Sequence, residues 1–350
     1  MPAMTSKQRV QAAFAHQPVD RIPVMILLGE SWLIDREKLS FKQMRELGDL
    51  GVDLIVRIYE EIHSDSVTSG LGCWTGVLEA LGCPIKNTDV GAPIETKPCI
   101  TDLEKYVAAL DHTKIRACLE ESEIIQKIME QTRRLKKAVG ESKYVCGQMQ
   151  GPFSGASMMV DVKAFMILCA KKSPYIKPLL DYLADFYAEL GNMYCENGAD
   201  IVQTCDPCTS GDMISPRMFD QLVVPSLQRM KSQFKGHDRT MVHICGKAGM
   251  RIPMIRDLGF DGYSVDAPVE LKDSLEQAGP TLTMMGNIHP IEVLRMGRPE
   301  DVYKAAMANA RIAGLQGGYI MMPGCDLGGM TPTENIQAMY RASCDHAAQA

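Results

Sequence analysis

Short apolar runs recur along this chain, and stretches with helical periodicity separate them. Each run has the length and the β-branched content of a buried strand, about four to eight residues. The predicted strands are Ile22–Leu28, Asp53–Ile58, Tyr144–Met149, Asp200–Cys205, Met241–Cys245, Gly262–Asp266, Leu282–Gly286 and Tyr319–Met322. Regular alternation of such strands with helices is typical of a parallel sheet that is buried on both faces.

The helical stretches between these runs carry apolar residues at steps of three and four. The clearest of them are Leu179–Asn197, Ser215–Phe234 and Pro299–Ala313. Eight strand-helix units predict that the sheet closes into a (β/α)8 TIM barrel, and that residues 1–350 form one domain. A first helix, Lys7–His16 with Thr5 or Ser6 as its cap, should precede strand one and close the barrel floor.

The interval between the second and third predicted strands is too long for a single crossover. It predicts a helical insertion after strand two, at approximately residues 59–143. The end of this segment, His112–Val139, has the pattern of a long amphipathic helix.

Charge and targeting signals exclude several classes of protein. The chain has 37 basic and 43 acidic residues, a net charge of -6, and no concentrated basic stripe for nucleic acid or anionic membrane. We find no secretory signal pattern and no long apolar run of membrane-spanning length, so we expect a cytoplasmic protein. Twelve cysteines spread over a long chain favour reduced thiols in a large core, some of them metal ligands.

Three strand ends carry groups that bind soft metal ions. His243 and Cys245 are two residues apart, so on a strand their side chains leave the same face. Cys325 follows strand eight and Asp266 ends strand six. In a barrel these residues share the catalytic rim, where one histidine, two cysteines and an oxygen donor would form a tetrahedral zinc site. In the alternative interpretation, H-x-C occurs by chance and the cysteines are small buried residues.

Other polar residues occupy matching rim positions. Gln150, Asp206 and Asn287 follow strands three, four and seven, and we interpret them as candidates for substrate binding. Each could equally satisfy loop backbone. The C-x-x-C formed by Cys205 and Cys208 has no second pair, which favours a structural role for both thiols. His289, before Pro290, could cap the next helix.

Several motifs together resemble the uroporphyrinogen decarboxylase superfamily, and within it the zinc-dependent methylcobamide:coenzyme M methyltransferases. The similarity runs from about residue 5 to residue 345. The matching segments are Pro18–Val24, Gly198–Asp206, His243–Lys247, Gly286–Ile288, Pro323–Cys325, Met330–Pro332 and Glu334–Ile336. The histidine-cysteine pair with the late cysteine is the specific part of this resemblance.

The resemblance implies that His243, Cys245 and Cys325 are zinc ligands and catalytic residues. Asp266 stands where those methyltransferases have a glutamate that can complete the zinc sphere, and Gln150 also replaces an expected glutamate. The segment 29–34 contains no arginine, whereas the decarboxylases need arginines there, so decarboxylation ranks low. No D-x-H-x-x-G corrinoid signature is present, so a methyl-corrinoid would arrive on a separate corrinoid protein.

The expected reaction is methyl transfer from that corrinoid protein to a small thiol such as coenzyme M, with zinc activating the thiolate. Exchange of the Asp266 carboxylate for the acceptor thiolate would leave the charge of the metal site unchanged. One alternative reverses the direction, so that a methylated growth substrate loads its methyl group onto Co(I) of the corrinoid protein. Another is a non-catalytic, zinc-stabilised scaffold that binds the corrinoid protein.

Overall fold

Parallel strands form the centre of the molecule. The computed structural model describes residues 2–26, 30–40, 43, 46, 48–70, 73–86, 94–95, 97–235 and 240–350. The strands in this part of the chain are Ser66–Thr68 (β1), Ile85–Lys86 (β2), Ile94–Glu95 (β3), Tyr144–Gln150 (β4), Ile201–Cys205 (β5), Thr240–Ile244 (β6), Gly262–Val265 (β7), Thr283–Ile288 (β8) and Tyr319–Pro323 (β9). Seven form one sheet in the order β1-β4-β5-β6-β7-β8-β9, and each neighbouring pair is parallel.

Helices follow most strands and cover the sheet. The α-helices are Ser6–Phe14 (α1), Glu30–Glu37 (α2), Asp49–Glu61 (α3), Cys73–Ala80 (α4), Leu103–Ala108 (α5), Ile115–Glu121 (α6), Glu123–Val139 (α7), Pro152–Val160 (α8), Val162–Ala170 (α9), Ile176–Glu196 (α10), Pro216–Met218 (α11), Val224–Ser232 (α12), Ile252–Asp257 (α13), Leu271–Ala278 (α14), Pro299–Ala313 (α15) and Thr333–Gln349 (α16). Short 3-10 turns lie at His112–Lys114, Pro207–Thr209 and Gly249–Arg251, and π-helical turns at Phe219–Val223 and Pro290–Arg295. The architecture is TIM-barrel-like.

The segment before residue 27 lies between the two edges of this sheet. Val24 forms a parallel bridge with Met321 of β9, and the Met25 amide donates to the Met321 carbonyl at 3.0 Å. On the other side, the Asp65 amide donates to the Val24 carbonyl at 2.7 Å, directly before β1. This segment lies within the predicted first strand, whose residues 27 and 28 are outside the described part of the chain.

Helix α1 closes the amino-terminal end of the sheet, as predicted. Thr5 caps it, because its side chain accepts from the Gln8 amide while the Gln8 side chain accepts from the Thr5 amide. Val10 and Phe14 pack in one buried cluster with strand residues that include Met241 and Met285. The floor of the sheet is therefore filled by apolar side chains from this helix.

A buried ion-pair network reinforces the same end. The fully buried Asp65 carboxylate accepts from Arg9 at 2.7 Å, from Arg21 at 2.8 Å and from the Val24 amide at 2.8 Å. Arg9 also pairs with Asp20 at 2.6 Å. Because every donor here meets a carboxylate oxygen, the network avoids the cost of an unpaired buried charge and ties α1 to β1.

The second predicted strand is wrong. Residues 53–58 belong to helix α3, whose buried residues Val52, Ile55, Ile58 and Tyr59 recur at three- and four-residue steps. The place beside β4 that was predicted for strand two is taken by β1. This is a short polar segment that the apolar pattern did not identify. The other six later strands agree with prediction within about two residues at each end.

The predicted insertion also changes as a result. It cannot begin at residue 59, because α3 continues to Glu61 and β1 belongs to the main sheet. The described residues between β1 and β4 form helices and the antiparallel β2-β3 pair. The predicted helix His112–Val139 is divided into a 3-10 turn, α6 and α7, with a break at Ser122, whose backbone is extended.

The expectation of reduced thiols fails at one position. Cys83 and Cys99 form a disulfide, with their Cα atoms 4.7 Å apart. The two residues flank the β2-β3 pair, and its antiparallel return brings them together. Nine further cysteines in the described residues form no disulfide, and Cys245 and Cys325 are among them.

Helix length and composition bear on the membrane question. Within the described ranges, no single helix is long and apolar enough to cross a membrane. Helices α8 and α9 reach the necessary length and apolar content only when they are taken together, and the chain bends by 110° between them.

Candidate metal centre

Strand β6 and the turn after β9 bring three soft donors together. His243 lies in β6, Cys245 follows this strand directly, and Cys325 lies two residues beyond the end of β9. Gly246 has a φ of +66°, a conformation that glycine adopts readily, so the chain turns immediately after Cys245. Both cysteines therefore lie at the carboxyl-terminal edge of the parallel sheet, the edge where barrel enzymes build their active sites.

The three side chains form a compact cluster. His243 Nε2 lies 3.1 Å from Cys245 Sγ, and Cys245 Sγ lies 3.3 Å from Cys325 Sγ. One ligand atom from each residue lies within 4.8 Å of the other two. His243 is buried, whereas the cysteines are partly exposed, so the cluster has one sheltered side and one open side. The predicted convergence of these residues is confirmed.

A serine orients the histidine. His243 Nδ1 lies 3.0 Å from Ser264 Oγ of the neighbouring strand β7. This contact leaves Nε2 facing the two thiols. A hydrogen bond at the second ring nitrogen is the usual way in which a metal-binding imidazole is fixed. Sequence reasoning missed Ser264, although its position in β7, two residues before Asp266, indicates the same face as the rim.

The electrostatics of the thiol pair suit a cation. A hydrogen bond from Cys245, together with contacts from His243, lowers the pKa of Cys325 despite burial. The same hydrogen bond raises the pKa of Cys245, and burial raises it further. The pair therefore holds one negative charge easily and a second only with difficulty. A divalent cation between the sulfurs would remove this penalty, and two thiolates with one imidazole form a donor set that zinc prefers.

Asp266 is not part of this cluster. Its Oδ2 accepts from the Gly246 amide at 2.9 Å, and its Oδ1 accepts from the Ala267 amide at 2.7 Å. The described donors that converge are His243, Cys245 and Cys325 alone. The geometry therefore does not support the predicted fourth ligand, because the short aspartate side chain is engaged by backbone amides.

The predicted substrate-binding residues all make internal contacts. Gln150 is buried, donates to the Trp74 carbonyl at 3.0 Å and accepts from Tyr187 Oη at 2.7 Å. Asn287 donates to the Val269 carbonyl at 2.5 Å and accepts from Asn309 at 3.1 Å. Both side chains hold neighbouring segments at the rim.

Asp206 is also buried and engaged. Its Oδ1 accepts from the Ser154 amide at 2.7 Å and from Ser154 Oγ at 2.5 Å, which joins the end of β5 to the first turn of α8. Burial raises its pKa to about 6, although the bonds from Ser154 act in the opposite direction. The Asp206 amide donates to the His243 carbonyl at 2.9 Å, so this residue also contacts the backbone of the His243, Cys245 and Cys325 cluster.

The two cysteines of the C-x-x-C motif separate. Cys205 is buried in β5, in register with His243, and its Sγ accepts from Gln203 Nε2 at 3.1 Å. Cys208 lies in the following turn, where Ser157 Oγ approaches its sulfur at 3.2 Å. Both thiols are free, and burial raises the pKa of each.

His289 has the capping role that was considered for it. Its Nδ1 accepts from the Ile291 amide at 3.3 Å and from the Glu292 amide at 3.1 Å, at the start of the turn Pro290–Arg295. This contact gives His289 a structural role at the edge of the rim.

The fold and the cluster together define a barrel-like protein with a histidine-dicysteine site, and its family is shown by the whole sequence. Residues 5–346 match the family described as uroporphyrinogen decarboxylase (URO-D), and the chain belongs to this family.

Several relatives that match nearly the whole chain are methyltransferases by name. The chain is 30% identical, over 346 residues and 98% of both proteins, to the methylcobamide:CoM methyltransferase MtaA of Methanosarcina barkeri (strain Fusaro / DSM 804). It is 26% identical over 98% of both proteins to MtbA of Methanosarcina acetivorans, which has the same descriptive name. A solved methyltransferase from Methanosarcina mazei superposes with a TM-score of 0.85, at 28% identity, and covers 98% of this chain and 99% of its own.

Proposed function

We propose that this chain is a zinc-dependent methyltransferase that moves a methyl group from a methylated corrinoid protein to a thiol such as coenzyme M. The observation that carries the proposal is the convergence of His243, Cys245 and Cys325 at the carboxyl-terminal edge of the sheet. The names of the MtaA and MtbA relatives support the reaction class and the acceptor.

Zinc fits the three donors, and the proposal assigns it to them. A bound zinc ion would deprotonate a coordinating thiol at neutral pH and so supply a thiolate nucleophile. Within the chain, Ser264 would keep His243 Nε2 directed at the ion, and the two cysteines would contribute charges that balance it. Their partly exposed side leaves an approach for the acceptor sulfur.

The remaining rim residues would line the space in which the acceptor binds beside the three donors. Gln150, Asp206 and Asn287 hold the ends of β4, β5 and β8 against adjacent segments, and we propose that they form its walls near the acceptor. The corrinoid would arrive on a separate protein whose face covers the barrel mouth and excludes water during transfer.

The proposal includes the organisation of the whole chain. Residues 1–350 would form one cytoplasmic (β/α)8 barrel domain in which the segment around Val24 supplies the first strand. The bridge from Val24 to Met321 and the hydrogen bond from Asp65 support this closure.

The test combines metal analysis with an acceptor screen. Purified wild-type protein should contain about one zinc ion per chain and methylate coenzyme M from methylcobalamin. Cys325→Ala should lose both properties, whereas Cys344→Ser, in the carboxyl-terminal helix α16, should keep them. Homocysteine as acceptor, and methylated substrates with Co(I) cobalamin for the reverse direction, distinguish the related reactions.

Three outcomes would overturn the proposal. The first is wild-type protein that binds no zinc. The second is Cys325→Ala protein that methylates thiols as fast as wild type. The third is methyl transfer onto Co(I) with no transfer to any thiol. Tight binding of the corrinoid protein without any methyl transfer would instead indicate a scaffold.

A further inference from the structure

We infer that Asp266 is a positioning residue for the two cysteine loops, and that in this chain it is not one of the residues that would hold the zinc ion. The inference rests on the proposed function, because it assigns a role within the same metal site. It differs from the expectation that the carboxylate binds the metal at rest and is displaced by the acceptor.

The first loop is held by a hydrogen bond. Asp266 Oδ2 accepts at 2.9 Å from the amide of Gly246, the residue that follows Cys245. A Cβ at position 246 would lie 2.5 Å from Asp212 Oδ2 and 2.9 Å from Ser210 Oγ, so these groups also pack closely against this turn. The turn after Cys245 is therefore fixed between Asp266 and the loop that follows β5.

The second loop, which carries Cys325, packs closely against the same carboxylate. A Cβ at Gly324, the residue before Cys325, would lie 2.8 Å from Asp266 Oδ1 and 2.8 Å from the Ala267 amide nitrogen. Such distances are too short for any side chain, so only glycine allows the backbone to approach this carboxylate. The Gly324 amide also donates to the Ile288 carbonyl at 2.8 Å, which fixes this loop against β8.

One carboxylate thus contacts the backbone next to both cysteines. Its second oxygen accepts from the Ala267 amide at 2.7 Å, so both oxygens are engaged. Its oxygens are outside the set of donor atoms that converge within 4.8 Å. To bind a metal held by His243, Cys245 and Cys325, the Asp266 carboxylate would have to move closer to these donors than it lies here. The arrangement therefore favours a resting site with three protein ligands.

The test compares substitutions that separate ligation from positioning. Asp266→Asn keeps one oxygen that can accept from Gly246 but loses the charge and the bond from the Ala267 amide, whereas Asp266→Ala removes both acceptors. Asp257→Asn, an exposed carboxylate in α13, is the matched control. Each protein is loaded with Co²⁺ in place of zinc, and its absorption spectrum is recorded before and after addition of coenzyme M. Zinc affinity is measured by competition with a chromophoric chelator.

We expect Asp266→Asn and the control to give wild-type spectra in both states. Asp266→Ala should bind zinc about tenfold more weakly, the usual effect of losing a residue that orients metal ligands. If Asp266 is a ligand instead, the Asp266→Asn spectrum will differ from wild type at rest and become the same after the thiol binds. This result, or unchanged zinc affinity in Asp266→Ala, would overturn the inference.

A second readout needs no metal, so it separates this inference from the proposed function. The chelated proteins are treated with 2,2′-dipyridyl disulfide, which oxidises the Cys245 and Cys325 thiols to one disulfide and is reduced to two pyridinethiones. Peptide mass mapping gives the yield. Because the sulfurs lie 3.3 Å apart, wild type and Asp266→Asn should form this bond readily. Asp266→Ala should form it several-fold more slowly, and equal rates in the three proteins would overturn the positioning role.

Discussion

At the residue scale, the site depends on side chains that fix its ligands as well as on the ligands themselves. Sequence periodicity was enough to predict that His243, Cys245 and Cys325 meet, because each lies at the same end of a parallel strand. The role of Asp266 could not be predicted, because it depends on where the amides of Gly246 and Ala267 point. Backbone amide direction at a loop has no signature in residue type.

Loss of the serine that orients His243 should weaken metal binding. Ser264→Ala removes the 3.0 Å contact with His243 Nδ1 and lets the ring turn. We expect zinc affinity to fall by about 10- to 100-fold, measured by chelator competition. Ser232→Ala, at the exposed end of α12, is the control and should bind zinc like wild type. Wild-type affinity in Ser264→Ala would show that ring packing alone orients the imidazole.

At the element scale, the comparison of prediction with structure shows what apolar pattern can detect. Strands β4 to β9 are almost fully buried and rich in apolar residues, so their pattern identifies them. Strand β1 consists of Ser66, Val67 and Thr68. It is buried because other elements pack around it, although two of its three residues are polar. Helix α3 has the dense apolar content of a strand, and short apolar runs of this kind do not distinguish the two states.

The burial pattern of helix α3 has a direct test. Ile55 is fully buried, whereas Leu50 in the same helix is 68% exposed. Ile55→Ala should lower the free energy of unfolding by about 2–5 kcal/mol. Leu50→Ala should change it by less than about 0.5 kcal/mol. Urea denaturation followed by circular dichroism measures both, and equal effects would contradict this packing.

The ion pair between Arg9 of helix α1 and Asp20 should be sensitive to acid. Burial opposes ionisation of Asp20, but hydrogen bonds from Arg9 and from the Met4 amide lower its pKa below 3.8. A lowered folded-state pKa means that the carboxylate stabilises the fold above the unfolded pKa, and that this contribution is lost as pH falls through the folded pKa.

Asp20→Asn should therefore destabilise the protein by about 1–2 kcal/mol at pH 7, allowing for partial solvent screening. The difference from wild type should shrink as pH falls below about 4. Denaturant titrations at several pH values measure it. A difference that is constant between pH 7 and pH 3 would show that the charge of Asp20 is irrelevant.

At the scale of the whole molecule, the metal site joins elements that are distant in sequence. A ligand set drawn from β6 and the turn after β9 forms only when the sheet is assembled. Metal binding at this candidate site would therefore be linked to global stability, because the unfolded chain lacks the assembled site.

Zinc at about one hundred times its dissociation constant should stabilise wild type by about 2.7 kcal/mol. Cys325→Ala should show no such shift, and Cys344→Ser should respond like wild type. Differential scanning calorimetry with and without a chelator measures the change in melting temperature. A zinc-dependent shift that persists in Cys325→Ala would place the stabilising ion elsewhere.

Helix α1 closes one end of the sheet, and the buried network of Arg9, Arg21 and Asp65 lies at the same end. The three donors His243, Cys245 and Cys325 lie at the opposite end. Assembly and chemistry therefore use separate sets of residues. In a chain built this way, the loops at one end of the sheet can change in sequence without disturbing the residues that assemble the other end.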